Sequence, residues 1–202
     1  MRKLIYSLIA VALAVTLLIP SQSYGQVSIG KGLKVGLNSA NITGDDVSDS
    51  KARSGFLAGV FLKLGVGSLI IQPELLYTVK GAKVEDDPDI DELKLTYLEI
   101  PVLVKINLGS APKVKPNIFA GPAFGILLSS KVKGPGGEVD FKDITKSSDL
   151  GVVVGAGIDI GLVMTGITFD IRYTFSLSSI DDSGEDADVK NRVLSATAGI
   201  SF

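Results

Sequence analysis

The chain of 202 residues contains no cysteine, no histidine and no tryptophan. Without cysteine there is no disulfide, no thiolate metal site, no sulfur nucleophile and no thiol for a lipid anchor. Without histidine there is no Ser-His-Asp triad, no imidazole ligand and no ordinary charge switch near neutrality. Charge of one sign is lacking too. Twenty basic residues face 22 acidic ones, for a net charge of −2. That balance excludes the basic stripe of a nucleic-acid binder. Beyond the first 20 residues no long apolar run occurs, so no further helix is expected to span a bilayer. The length suits one domain.

The N-terminal exception has the order of an export signal. Met1, Arg2 and Lys3 are followed by an apolar stretch from Leu4 to Ile19, then Pro20. Ser23 and Gly25 stand at the −3 and −1 positions of a cut before Gln26. The stretch is shorter than the roughly 20 apolar residues of a bilayer span. Residues 1–25 are therefore expected to be a cleaved signal peptide and residues 26–202 the mature domain. Loss of Arg2 and Lys3 leaves 18 basic residues against 22 acidic ones, a net charge of −4.

What is present is alternation with period two. In residues 167–178, Ile167, Phe169, Ile171, Tyr173, Phe175 and Leu177 share one face, and Thr168, Asp170, Arg172, Thr174, Ser176 and Ser178 share the other. A helix would mix these sets, whereas a strand separates them. Leu194, Ala196, Ala198, Ile200 and Phe202 repeat the pattern against Ser195, Thr197, Gly199 and Ser201. So do Leu98, Ile100, Val102, Val104 and Ile106 against Glu99, Pro101, Leu103, Lys105 and Asn107. In 70–80 the apolar face carries Ile71, Pro73, Leu75, Tyr77 and Val79. In 150–162, Leu150, Val152, Val154, Ala156, Ile158, Ile160 and Leu162 oppose mainly glycines and Asp159. Lys34 and Lys63 fall on the polar sides of their strands. Eight strands are predicted, at about 32–38, 54–65, 69–80, 94–108, 115–129, 149–162, 166–179 and 191–202. Most are long for a soluble protein and suit tilted strands that cross a membrane.

The connections alternate between long (39–53, 81–93, 130–148, 180–190) and short, as in an outer-membrane barrel with short periplasmic turns and long external loops. Of the 22 acids, 17 fall in the long connections; the other five are Glu74, Glu99, Asp149, Asp159 and Asp170. In lipid only helices and closed barrels satisfy their backbone. A charge on the lipid face near mid-depth costs about 2–4 kcal/mol, and Lys63, Glu74, Glu99, Lys105, Asp170 and Arg172 all avoid that face. The fold expected is an all-β, eight-stranded antiparallel up-and-down transmembrane barrel. Eight strands leave an interior that side chains fill. The lumen is expected to hold a structural ion network of Glu74, Glu99, Lys105, Asp170 and Arg172, with no open pore. On this reading Arg172→Ala strands an inward carboxylate.

Residues Gly32-Leu33-Lys34-Val35-Gly36-Leu37-Asn38, Gln72-Pro73-Glu74-Leu75-Leu76-Tyr77, Tyr97-Leu98-Glu99-Ile100-Pro101-Val102-Leu103-Val104-Lys105, Ala120-Gly121-Pro122, Gly155-Ala156-Gly157-Ile158 and Asp170-Ile171-Arg172-Tyr173 carry a resemblance. The chain resembles the PorT-type outer membrane protein beta-barrel domain family over about 30–202, and more distantly the OmpX and OmpA barrels. The resemblance implies fold and outer-membrane location. It further suggests a link to secretion or surface assembly, although the matching motifs lie in strands and mark no active site. A terminal aromatic, here Phe202, is the usual mark read by the barrel-assembly machinery, which is expected as a partner during biogenesis.

Enzymatic barrels of the deacylase, omptin, palmitoyltransferase and phospholipase kinds use histidine, so no catalytic residues and no enzyme activity are expected. Gly155-Ala156-Gly157 has neither the spacing nor the following helix of a dinucleotide turn. The acidic runs 87–92 and 181–188 match no EF-hand, and solvation is their simplest role. The alternative is weak binding of divalent ions that bridge to lipopolysaccharide phosphates. No cofactor, no metal and no nucleic acid are expected. The expected surroundings are outer-membrane lipid and lipopolysaccharide, around a monomer. The competing functions are a structural or interaction barrel, a passive small-solute channel, and a soluble exported barrel that binds an apolar ligand.

Overall fold

The structure, a computed structural model, describes residues 27–43, 50–84, 92–109, 113–134, 137–140, 147–178 and 190–202. The expected signal peptide and most of the acidic loop residues lie outside them. The strands in chain order are β1 (Val27–Thr43), β2 (Ser50–Val66), β3 (Leu69–Val84), β4 (Glu92–Asn107), β5 (Val114–Gly134), β6 (Gly137–Asp140), β7 (Ser148–Gly161), β8 (Gly166–Ser176) and β9 (Lys190–Ser201). All pairs are antiparallel, and the pairings of β4 with β5 and of β1 with β9 close eight strands into a cylinder. β6 pairs with the far end of β5, on the edge that β7 occupies nearer the other end.

The strands outrun the alternation that reveals them. β1 reaches Thr43, β3 reaches Val84 and β5 reaches Gly134, so the strands take up both ends of the connections expected at 39–53, 81–93 and 130–148, and the short β6 was not foreseen. The register sets Lys131 opposite Asp140, and Lys133 opposite both Glu92 and Glu138. These pairs carry the ladders past the apolar band, where no hydrophobic alternation marks a strand. A second departure is Val79, which is buried rather than outward. Between the Ala52–Ala82 and Leu57–Thr78 pairs, four residues of β2 oppose three of β3, and such a bulge re-aims nearby side chains.

The register fixes the shape. A line of paired residues runs from Ile29 through Leu64, Ile71, Val104, Ala120, Val154, Tyr173 and Leu194, and meets β1 again at Ser39, ten residues along. Ten residues of about 3.3 Å rise over eight spacings of about 4.8 Å incline the strands by roughly 40°. An eleven-residue strand such as β8 then rises roughly 28 Å, close to the height of a membrane barrel's apolar band. The short turn between β2 and β3 is Gly67-Ser68, with Gly67 at φ 62°, as a two-residue hairpin requires.

The distribution of residues is inverted relative to a soluble protein. Ile29 is 77% exposed, Leu37 72% and Ile171 64%, while Lys105 is 0% exposed and Lys34, Asp170 and Arg172 are at 1–2%. A soluble barrel around an apolar ligand would show the reverse, and a continuous apolar exterior of this kind needs hydrocarbon around it.

Candidate functional site

The site is the lumen, and inward positions of β1, β2, β3, β4, β7 and β8 supply its charges. Period two puts Glu74 and Lys80 of β3 on one face, Glu99 and Lys105 of β4 likewise, and Asp170 and Arg172 of β8 likewise. Lys34 of β1 donates to Glu74 Oε1 and Asp170 Oδ2, both at 2.7 Å. Arg172 grips Glu74 through Nη1 (2.7 Å) and Nη2 (3.3 Å), and its Nη2 also reaches Asp170 at 3.2 Å. Such fork contacts are the strong form of the ion pair. Lys105 donates to Asp170 Oδ1 at 3.2 Å. Gln72 Nε2 gives Glu74 a further bond of 2.6 Å. Thr168 and Thr197 hydroxyls complete the shell of Asp170 at 3.4 and 3.5 Å.

Towards the short turns this cluster continues. Lys105 lies 4.0 Å from Asp159, which accepts from Lys63 at 2.7 Å and from Asn117 at 3.3 Å. A vestibule of about 220 Å³, lined by Lys63, Asn107, Lys115, Asp159 and Ser201 among others, ends on that pair. Towards the long loops lies a second cluster. Lys80 pairs with Glu99 and lies 3.7 Å from Asp149. Asp149 accepts from Ser176 at 2.8 Å and from Asn191 at 3.4 Å. The two clusters flank a cavity of about 10 Å³ lined by Arg172, Lys80, Glu99 and Thr174 among others, about the space of one water. At the long-loop end Leu95, Tyr97 and Leu127 form a buried apolar layer.

Aromatic rings finish the filling. Phe61 lies between the ammonium groups of Lys34 (5.4 Å) and Lys63 (5.5 Å), and Phe119 between Lys105 (5.2 Å) and Arg172 (5.7 Å). Tyr97 faces Lys80 at 5.2 Å. Each ring offers its negative face to a cation that has left water. The rings fit because glycines face them. A methyl at Gly32 would strike the Phe61 ring, and one at Gly155 would strike Phe119. Gly155 and Gly157 thus lie within β7 as lumen spacers, with no helix after them.

Of the five lumen residues expected from the sequence, Glu74, Lys105, Asp170 and Arg172 meet in one cluster. Glu99 belongs to the other. Lys34, the cation that bridges both central carboxylates, was not singled out, and neither were Lys80 and Asp149. Their polar-face positions were legible, but their partners lie across the lumen. The structure also changes the expectation for Arg172→Ala. Without Arg172, Glu74 keeps Lys34 and Asp170 keeps Lys34 and Lys105, so no carboxylate is stranded. All five acids outside the long connections are in ion pairs: Glu74, Glu99, Asp149, Asp159 and Asp170. Among the described residues no group of three or more carboxylates is placed to hold a metal. The backbone of Phe202 exchanges two hydrogen bonds with Lys31 (2.8 and 3.2 Å), and its ring is exposed.

A closed eight-stranded cylinder with an apolar exterior and an ionic, filled interior is a transmembrane β-barrel of the small kind. Residues 21–182 match the outer membrane protein beta-barrel domain family. The chain belongs to that family, and its location is the outer membrane. No curated protein matches the sequence. Among solved structures it is similar to neisserial surface protein A, at 16% identity and a TM-score of 0.53 over 88% of this chain and 99% of that one. It is also similar to Ail, the attachment invasion locus protein of Yersinia pestis, solved with the heparin analogue sucrose octasulfate. There identity is 16% and the TM-score 0.49, over 87% of this chain and 99% of that one. These likenesses concern the fold.

Proposed function

We propose that the protein is a non-conducting, non-enzymatic outer-membrane barrel whose acidic loops serve an interaction or surface-assembly role, in the manner of the PorT-type barrels it resembles. The observation that carries this reading is the lumen: at mid-height its charges are paired across the axis at 2.7–3.3 Å. A solute path would have to break several of these contacts at once, each between groups that have lost their water. The long loops face outward and both termini lie at the periplasmic side. The purified protein in planar bilayers gives no stable single-channel steps; reproducible steps would establish the channel reading instead.

Sidedness has its own test, because the chain has no cysteine. Ser183→Cys in a long loop reacts with an impermeant maleimide on intact cells, and Ser68→Cys in a short turn reacts only after permeabilisation. The opposite pattern would invert the topology. Deleting the gene changes the set of proteins secreted or displayed at the cell surface while the outer membrane stays intact. An unchanged surface and secreted profile would overturn the assembly role.

A further inference from the structure

The wall is uneven on its lipid side. Where β2 meets β3, the ladder drops the pairs between Phe61–Glu74 and Leu64–Ile71. Pro73 sits in that gap with no N–H to give. Over the gap lies an outward groove of about 390 Å³, lined by Leu33, Val60, Leu62, Pro73, Leu75 and Phe202. Its size falls within the about 300–1,000 Å³ of small-molecule sites. Lys31 lines the same groove. The paired backbones of Lys31 and Phe202 hold this residue at the edge, and its exposed side chain places the ammonium 5.7 Å from the Phe202 ring.

A lipid-facing wall needs no cation for its own stability, since charge is disfavoured there. An apolar slot that ends at a fixed ammonium has the two-part chemistry of a phospholipid, with hydrocarbon along the slot and phosphate at the ammonium. We propose that this groove is a specific site for one membrane phospholipid, its acyl chain over Pro73 and its phosphate at Lys31. The bound chain also covers a place where the backbone ladder is interrupted, in a medium that cannot supply hydrogen bonds. This goes beyond the reading of the lumen and does not depend on it.

Native mass spectrometry of the full chain, extracted from its membrane in mild detergent, tests the site. The wild type retains one phospholipid per chain. Val60→Trp with Leu75→Trp fills the slot and lowers the retained fraction about tenfold, and Lys31→Glu alone lowers it several-fold. Ile171→Trp, on β8 and four strands from β3 around the wall, leaves retention unchanged. Heat-modifiable migration verifies that each variant is folded. Retention that survives the filled slot, or falls equally with Ile171→Trp, would overturn the proposal. So would the loss of a two-chain mass on filling, which would make the groove an interface between copies.

Discussion

Replacing Asp170 by asparagine keeps the side chain's size and removes its charge. The central cluster holds three cations, Lys34, Lys105 and Arg172, on two carboxylates, Glu74 and Asp170. After Asp170→Asn, Lys34 and Arg172 still hold Glu74, but the nearest carboxylate left to Lys105 is Asp159 at 4.0 Å. Stranding one partner of a buried pair costs about 3–5 kcal/mol. Arg172→Gln acts differently, because each carboxylate keeps a cation and the five-residue cluster moves from one excess positive charge to neutral. Its cost is the lost hydrogen bonds and packing on Phe119, about 1–3 kcal/mol. Reversible urea unfolding in lipid vesicles, read as a midpoint shift at constant slope, measures both. Asp170→Asn with Lys105→Met should recover at least about 1 kcal/mol over Asp170→Asn alone, since the stranded charge goes too. The reasoning is refuted if Arg172→Gln costs as much as Asp170→Asn, or if the double variant shows no recovery.

Ile171→Arg places a charge on the outer face of β8 and should destabilise the barrel by about 2–4 kcal/mol in vesicles, while Thr174→Ser on the inner face stays within about 1 kcal/mol; equal effects would deny the sidedness. Gly155→Val should destabilise by about 1–3 kcal/mol through overpacking against Phe119 and the Ile171 carbonyl oxygen, and Phe119→Leu in the same chain should return the part owed to the ring; additive losses would show that the ring is not an obstacle. The β3–β4 ladder drops the pairs Glu74–Pro101 and Leu75–Ile100, and the β4–β5 ladder drops Val102–Pro122 and Leu103–Gly121. Hydrogen exchange in detergent should therefore be faster at Glu74, Leu75 and Leu103 than at Ile171 or Ala196 in the unbroken ladders; uniform protection would contradict it.

Sidedness was legible in the sequence because it is a local property. Alternation of Phe169, Asp170, Ile171 and Arg172 decides which way each side chain faces, with no knowledge of neighbouring strands. Partnership was not legible, because it depends on the ten-residue stagger that brings β3 and β8 to the same height as Lys34. Glu74 and Glu99 each stand on a polar face within two residues of a proline, Pro73 and Pro101, yet they serve different clusters. The inward aromatics Phe61, Tyr97 and Phe119 share faces with Lys63, Glu99 and Asn117, and the glycines and the cations Lys34, Lys80 and Lys105 that they pack against lie on other strands, out of reach of a single-strand pattern. The ladder extensions left no periodic trace, since small and charged residues replace the apolar alternation there, as in Ser50-Lys51-Ala52-Arg53 and Ser130-Lys131-Val132-Lys133-Gly134.

The charged interior also bears on how the barrel finds its alignment. Contacts of Lys34 with Glu74 and of Arg172 with Glu74 join residues 40 and 98 positions apart, so no isolated hairpin can satisfy them. A slip of one residue between two strands would turn ions towards hydrocarbon. A slip of two would keep every face correct and still leave carboxylates and ammonium groups at mismatched heights, unpaired in a dry interior. The same groups that plug the cylinder thus act as a checksum on its assembly: hydrophobicity selects the parity of each pairing, and the ions select one alignment among those of equal parity.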